Sequence, residues 1–212
     1  MRSKSRGVLV ALVAVVAFSA VASASASAAV WRVGGSELVG SASLAPATKM
    51  VEEVRLEWTG GATIRCTGVE LKGASIAAPS GGSAEHLVFT GCAFISGSCS
   101  LKGTTIESKS LALTAALGGS SPEDTLVVKP ASGKVLTEFT LTGASCARAG
   151  IYDLTGKVTL VLPSGREELA EQEVSMRTSA LSAELRLDGE TGVSLKGAVK
   201  AKLASGKAWS FN

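Results

Sequence analysis

The sequence predicts an all-β protein, an antiparallel β-sandwich of about ten short strands held by two disulfides. Apolar and polar residues alternate with a period of two through most of the chain, which is the pattern of half-buried strands. Glycine is frequent, with 24 copies, and occurs at turn-like breaks between the alternating runs. Four cysteines follow an amino-terminal segment that resembles an export signal. An irregular β-solenoid or a barrel is the alternative arrangement of such strands.

Residues 1–28 are predicted to be a secretory signal peptide. Basic residues precede an apolar run over 8–18, and small residues then lead to an A-x-A pattern that ends at Ala28. A membrane-spanning helix needs about 20 apolar residues, so the run is too short for an anchor. We therefore expect cleavage near Ala28 and a single all-β domain over 29–212. This mature chain is expected to be secreted or held at the cell envelope, with no membrane span.

The net charge belongs to the leader. The whole chain carries +3, and Arg2, Lys4 and Arg6 account for all of it. Removing these three from the 21 basic residues leaves 18, which equals the 18 acidic residues. A neutral mature chain without a basic cluster lacks the electrostatic signature of a nucleic-acid-binding protein, so nucleic acid is excluded as a partner.

The four cysteines, Cys66, Cys92, Cys99 and Cys146, are predicted to form two disulfides, because an even number in an exported chain is typical of a disulfide framework. Metal binding is disfavoured because there is no C-x-x-C pair and only one histidine, His86. We favour Cys66–Cys92 with Cys99–Cys146, because each of these bridges joins neighbouring segments of the sequence. In the chain-entropy model, each bridge would stabilise the folded state by about 3–4 kcal/mol. Pairing of Cys92 with Cys99, and of Cys66 with Cys146, stays open.

Alternation places the strands along the chain. It is strict over residues 54–58 and continues a stretch, 48–54, that would otherwise suit a helix, so a strand is favoured there. Within residues 152–162 a second alternating run predicts a strand, with Tyr152, Leu154, Gly156, Val158, Leu160 and Leu162 on one parity and Asp153, Thr155, Lys157 and Thr159 on the other. Residues 164–172 begin with the spacing of a capping box, and predict either one or two helical turns or an extended polar edge.

Two hairpins are predicted. Residues 181–187 and 193–203 alternate on both sides of an Asp-Gly-Glu-Thr-Gly turn. The pattern predicts a hairpin with one buried apolar face and one solvent-exposed face. Residues 125–129 and 134–141 flank a Pro-Ala-Ser-Gly turn in the same way.

A Leu-X-Gly pattern recurs without a fixed period, so it does not indicate a solenoid. Glycine within a strand marks a bulge or a bend, and we interpret the pattern as strand curvature. The five glycines are Gly73, Gly103, Gly143, Gly156 and Gly197.

No catalytic set is found. His86 is the only base that a Ser-His-Asp site could use, and its parity, opposite to Leu87 and Phe89, indicates a solvent-facing or edge position. Motifs for phosphate, dinucleotide or calcium binding are missing, so no cofactor or metal is expected. Acidic clusters that could supply paired carboxylates are interpreted as solvated surface; they are Glu52, Glu53 and Glu57, and Glu167, Glu168, Glu171 and Glu173.

The three tryptophans, Trp31, Trp58 and Trp209, could stack on sugar rings if they shared an exposed face. Trp58 shares its parity with Val54 and Leu56, which favours a place in the core.

Several cysteine-centred segments resemble a family of uncharacterised secreted bacterial four-cysteine β-rich proteins, often present as paralogues. The segments are IRCTGVELKG (64–73), LVFTGC (87–92), SC (98–99), GASC (143–146) and ASGKAW (204–209). The resemblance implies a single domain in which the cysteines are structural, and it implies no activity.

Two functions follow as expectations. The first is a non-enzymatic extracellular domain with a binding or structural role, whose partner would be an envelope glycan or an extracellular protein. The alternative is a secreted carbohydrate-active hydrolase that uses paired carboxylates such as Glu53 or Glu168.

Overall fold

The computed structural model describes residues 29–117, 124–177 and 184–212, and the proposed signal peptide lies outside this part. Every regular element in the described residues is a β-strand, and each strand pair is antiparallel. The all-β class, the antiparallel pairing and the two disulfides are therefore confirmed. No helix in these residues is long and apolar enough to cross a membrane.

The strands are shorter and more numerous than the sequence suggests, because turns and bulges interrupt the alternating runs. The first half of the chain holds β1 (Trp31–Val33), β2 (Ser36–Glu37), β3 (Ser41–Ser43), β4 (Lys49–Trp58), β5 (Ala62–Cys66), β6 (Gly68–Lys72), β7 (Ser75–Ala77), β8 (Gly81–Ala84), β9 (His86–Thr90), β10 (Ala93–Phe94) and β11 (Ser100–Leu101). The second half holds β12 (Thr105–Glu107), β13 (Leu111–Ala116), β14 (Asp124–Pro130), β15 (Val135–Thr142), β16 (Gly150–Gly156), β17 (Val158–Leu162), β18 (Glu171–Arg177), β19 (Leu185–Leu187), β20 (Ser194–Lys202) and β21 (Trp209–Phe211).

Eleven strands form one large sheet in the order β10-β5-β4-β20-β18-β17-β14-β13-β8-β7-β3. Its two longest strands, β4 and β20, are neighbours, and β20 pairs with β18 along its other edge. Strong alternation in β4 and β20 gives each an apolar inner face, so pairing them buries a continuous apolar surface.

The large sheet curls until its edge returns to its middle. Leu44, directly after β3, forms an antiparallel bridge with Leu203, directly after β20. The amide of Ala45 donates to the carbonyl of Lys202 at 2.8 Å, and the amide of Ala204 donates to that of Ser43 at 2.9 Å. The strands from β20 round to β3 therefore enclose an interior.

Three smaller sheets complete the fold, in the orders β11-β15-β16-β19, β12-β9-β6 and β2-β1-β21. Single bridges tie them together: Ser108 with Thr137 joins the first two sheets, and Ala47 with Glu70 joins β6 to the segment between β3 and β4. A further bridge connects Leu169 with Trp209 of β21.

The disulfides are Cys66–Cys92 and Cys99–Cys146, the pairing favoured from the sequence. Cys66 ends β5, and Cys92 lies just before β10, which pairs with β5. Cys99 lies just before β11, and Cys146 follows β15, the partner of β11. Each bridge therefore fastens a two-residue strand to a longer neighbour.

Both predicted hairpins are wrong. Strand β19 pairs with β16, and β20 pairs with β18 and β4, although a tight turn does form between Leu187 and Glu190. Residues 181–183 of the first hairpin lie outside the described residues. Strand β14 pairs with β13 and β17, whereas β15 pairs with β11 and β16. A strand can pair along only two edges. Both edges of β20 and of β14 are occupied by other strands, so neither can also pair with its neighbour across the turn.

Other local expectations have mixed outcomes. Residues 48–54 do lead into a strand, β4. Residues 164–172 form a turn, in which the amide of Glu167 donates to the carbonyl of Ser164, followed by extended backbone. All five Leu-X-Gly glycines have positive φ, and Gly197 lies at a register shift inside β20, as curvature requires.

Candidate functional site

The inner faces of the curled sheet surround a cavity of about 100 Å³. Val174 on β18 lies directly opposite Val199 on β20, and Leu160 on β17 lies opposite Met176 on β18. All four side chains are buried and line the cavity. Alternation along these strands therefore places an apolar row on the inside of the curl.

The smaller sheets close the cavity on its other sides. Phe89 comes from the three-stranded sheet β12-β9-β6, and Leu136 comes from β15. Trp31 of β1 and Trp209 of β21 form a tilted aromatic pair with ring centroids 5.8 Å apart, and both line the cavity. The site thus lies where all four sheets meet.

The two hydroxyl-bearing side chains in the wall bind backbone atoms. Ser108 Oγ donates to the carbonyl of Lys109 and accepts from the amide of Leu87, each at 2.8 Å. Thr137 Oγ1 donates to the carbonyl of Glu107 at 2.7 Å. A buried water needs two to four polar partners. Because these hydroxyls already have partners, the wall suits an apolar molecule better than water.

An apolar space of this size has an energetic consequence. In core-truncation experiments on other proteins, stability falls by roughly 24 cal/mol for each Å³ of cavity. For about 100 Å³, this corresponds to roughly 2 kcal/mol. An apolar occupant would recover part of this free energy through dispersion contacts. An engineered cavity of about 150 Å³ in another protein binds benzene, which sets the scale of a fitting ligand.

The two tryptophans differ in the state of their indole N–H groups. Trp31 Nε1 donates to the carbonyl of Gly81 at 2.8 Å. Trp209 is 3% exposed, and its Nε1 is buried without a hydrogen-bond partner among the described residues. One tryptophan of the pair therefore retains an unused donor.

A second unused polar atom belongs to Gln172. Gln172 is fully buried on β18, on the same side of the strand as Val174. Its Nε2 donates to the carbonyl of Trp209 at 2.6 Å and to that of Glu167 at 2.7 Å. Its Oε1 has no partner among the described residues. Gln172 is paired with Ala201, a cavity residue, but does not itself line the cavity.

The only histidine lies at the start of β9. The Nδ1 of His86 is 2.6 Å from the carbonyl oxygen of Ser108, to which Nδ1–H donates, and 3.4 Å from Glu107 Oε1. Its side chain is 38% exposed. Its nearest polar neighbours are thus a backbone carbonyl and a surface carboxylate.

The first acidic cluster forms ion pairs. Glu53 lies 3.4 Å from Arg55 and 3.8 Å from Arg65, and Glu57 lies 2.7 Å from Lys196. Glu57 also borders a shallow, open groove of about 260 Å³ beside Trp58. Glu52 is exposed on the same strand.

The second acidic cluster is spread over a turn and a strand. Glu168 accepts a hydrogen bond from the amide of Gly35, and Glu173 accepts one from Ser175 Oγ at 3.3 Å. Glu167 and Glu171 are exposed. The tryptophans share no exposed face: Trp31, Trp58 and Trp209 are 1%, 8% and 3% exposed, so the core position of Trp58 is confirmed.

Within the described residues, no group of three potential ligands could hold a metal ion. Comparisons of the chain with protein-family models, with curated proteins and with solved structures find no match. The resemblance to a secreted bacterial family stays a prediction. The cavity itself was missed from the sequence, since an inward-facing apolar residue looks the same whether it contacts another side chain or empty space.

Proposed function

We propose that the mature chain is an exported, non-enzymatic domain that binds a small apolar ligand in the cavity between its sheets. The observation that carries this proposal is the wholly apolar, buried wall of the cavity, whose hydroxyl groups are turned to the backbone. Sites of this kind hold ligands mainly by burying apolar surface.

The disulfides support export. Both bridges are formed, and such bonds persist in oxidising compartments outside the cytoplasm. The amino-terminal sequence supports a cleaved signal peptide, so we place the working protein outside the cell or at the cell envelope. The smaller sheets lie across the cavity from the curled large sheet, and this supports a sandwich-like arrangement around the ligand.

The contacts of the acidic residues support a non-enzymatic role. Glu53 and Glu57 have cationic neighbours on the surface, an ordinary arrangement for solvated ion pairs. Among the described residues, no contact favours the alternative of a hydrolase with paired carboxylates.

Benzene binding tests the proposal. We expect benzene to shift the methyl resonances of cavity residues such as Leu160 and Val199 saturably, and to raise the melting temperature because it binds only the folded state. At a hundred times its dissociation constant, a ligand stabilises by about 2.7 kcal/mol.

Two matched variants sharpen the test. Ala84→Leu places three additional carbons in the wall, whereas Ala112→Leu adds the same atoms on β13 at the parity opposite to the cavity residues Leu111 and Leu113. We expect Ala84→Leu to abolish binding and Ala112→Leu to preserve it. Failure of the wild-type protein to bind benzene, or equal binding by both variants, contradicts the proposal.

A further inference from the structure

We propose that the outer face of the large sheet binds an acidic polysaccharide through a row of four cationic side chains. The cationic row consists of Arg65 on β5, Arg55 on β4, Lys196 on β20 and Arg177 on β18. None of the four lines the cavity. This inference is therefore independent of the apolar ligand and adds a second binding surface.

The register of the strands creates the cationic row. Arg55 is directly opposite Arg65 on one side and directly opposite Lys196 on the other. Lys196 is in turn directly opposite Arg177. Neighbouring strands lie about 4.8 Å apart, so the four Cα positions span about 14 Å. Because the four residues come from four different strands, the sequence itself contains no basic cluster.

The cationic side chains are on the solvent side of the sheet. Arg55 lies between two buried residues of β4, and side chains alternate between the two faces of a strand. Lys196 follows Leu195, which lines the cavity. The side chains of Arg65, Arg55 and Lys196 are 43%, 50% and 58% exposed, and Arg177 is exposed as well. The row is therefore accessible to a molecule in solution.

The cationic row is unfavourable for the protein on its own. Like charges directly opposite each other on neighbouring strands destabilise a sheet, and here three successive pairs are cationic. Glu53 is 3.4 Å from Arg55 and 3.8 Å from Arg65. Glu57 is 2.7 Å from Lys196. Three cations thus share two carboxylates, so a bound anion would relieve the remaining repulsion.

The two arginines suit a carboxylate ligand. A guanidinium group forms paired hydrogen bonds with a carboxylate, with N–O distances of about 2.7–2.9 Å in tight pairs. The distances from Glu53 to Arg55 and Arg65, 3.4 and 3.8 Å, are longer. Glu53 therefore lies between the two guanidinium groups without forming a tight pair with either, and a ligand carboxylate can bind their donors more closely.

The open groove beside the cationic row supplies contacts for a sugar. Glu57 and Ser194 line this groove and are directly opposite each other, two positions along the strands from Arg55 and Lys196. Thr63, which also lines it, carries a further hydroxyl group. Hydroxyl and carboxylate groups form hydrogen bonds with the hydroxyl groups of sugars. A chain of sugar units with acidic groups can therefore contact the groove and the row together.

Two observations favour a polysaccharide over a nucleic acid. Proteins that bind single strands stack the bases on exposed aromatic side chains. Among the described residues, none of the exposed large hydrophobic side chains is aromatic. Duplex DNA carries one charge for about every 1.7 Å of its axis, so its phosphates would approach Glu53 and Glu57 as well as the cations. A polymer with more widely spaced charges avoids this repulsion.

Polygalacturonate, a linear polysaccharide with a carboxylate on each sugar unit, is the probe. We expect the mature protein with both disulfides intact to bind it in isothermal titration calorimetry, and not to bind neutral dextran. Because salt screens exposed charges, the affinity should fall as sodium chloride is added. Equal binding to the two polymers, or binding to neither, overturns the proposal.

A double variant of the cationic row identifies the surface. Arg55→Gln with Arg65→Gln is expected to weaken binding about tenfold, since two exposed ion pairs with the ligand are lost. The matched control is Lys129→Gln with Lys134→Gln, which removes two exposed cations from β14 and the turn after it. The control should bind as the wild type does. Equal losses in the two double variants would show that net charge alone is responsible and overturn the assignment.

Glu53→Gln gives a change in the opposite direction. It removes a carboxylate that competes with the ligand for Arg55 and Arg65, so we expect binding about threefold tighter than that of the wild type. Glu138→Gln makes the same charge change at an exposed position on β15, in a different sheet, and should have no effect. Weaker binding by Glu53→Gln contradicts the proposal.

Other anions and the cavity are tested separately. Tighter binding to duplex DNA, or to vesicles of phosphatidylglycerol, than to polygalacturonate would overturn the choice of a polysaccharide. The variants of the cationic row are expected to bind benzene as the wild type does, because the row lies outside the cavity wall. Failure of polygalacturonate binding and failure of benzene binding are therefore distinguishable.

Discussion

Leu44 and Leu203 form an antiparallel bridge that returns the edge of the eleven-stranded sheet to the end of β20. The flanking bonds, from Ala45 to Lys202 and from Ala204 to Ser43, make this a short ladder. The interior that the ladder closes holds the cavity, since Leu44 itself lines it. Closure of the sheet and formation of the proposed site are therefore linked.

Ala45→Pro is expected to weaken this closure. Proline lacks the amide that donates to Lys202 at 2.8 Å, and the acceptor is left without this donor. We expect a loss of about 1–3 kcal/mol in the free energy of unfolding, measured by chemical denaturation. Ala45→Ser, which keeps the amide, should stay within about 0.5 kcal/mol of the wild type. Similar losses in the two variants would mean that this bond contributes little.

The two disulfides are expected to differ in accessibility to reductant. Cys66 and Cys92 are each 4% exposed, whereas Cys99 and Cys146 are only half-buried. A thiolate must reach a sulfur atom in order to attack it, so the Cys99–Cys146 bridge should open first in native buffer. Alkylation followed by peptide mass spectrometry would identify the order, and prior labelling of Cys66 and Cys92 would contradict the prediction.

Removal of either bridge is expected to lower the free energy of unfolding. The bonded cysteines are separated by 26 and 47 residues. In the chain-entropy treatment, loops of this length contribute about 3.5 and 4 kcal/mol. We expect the two double alanine variants to lose similar stability in thermal denaturation. A loss below about 1 kcal/mol for either pair would show that its loop is already ordered in the unfolded chain.

Gly197→Ala tests the bend inside β20. Gly197 has φ +142°, and a Cβ atom there would lie 2.9 Å from Val54 Cα on the neighbouring strand. Strain and contact with rigid backbone together should cost about 2–4 kcal/mol. Gly206→Ala is the matched control, because its φ is also positive, at +70°, but nothing lies within 4 Å. It should lose only about 1 kcal/mol, and an equal loss for both would refute the role of close packing.

Filling the cavity is expected to stabilise the protein. Ala84 lines the cavity, whereas Ala115 is buried in the core but not at the cavity wall. Ala84→Leu should raise the free energy of unfolding by about 1 kcal/mol, because its added carbons occupy existing space. Ala115→Leu should lower it by about 1–3 kcal/mol through overpacking. Denaturant titration measures both, and a reversal of the two signs would mean that the cavity lies elsewhere.

The correct and incorrect expectations about the strands have one physical origin. Alternation reports which side of a strand is buried, and this identified β4 and the interior place of Trp58. It does not report which strand lies alongside. A turn at Leu187–Glu190 does form, yet the chain leaving it enters a different sheet, because β18 and β4 occupy both edges of β20.

The sequence by itself determined the class of fold and favoured the cysteine pairing that forms, because these depend on composition and on residues close along the chain. Only the tertiary structure decided the closure at Leu44 and Leu203, the cavity and the unequal hydrogen bonding of Trp31 and Trp209. These features depend on contacts between distant segments: Trp31 and Trp209 come from opposite ends of the described residues. Packing of the whole chain sets the space between such segments and the partners of their polar atoms, and no local pattern encodes either.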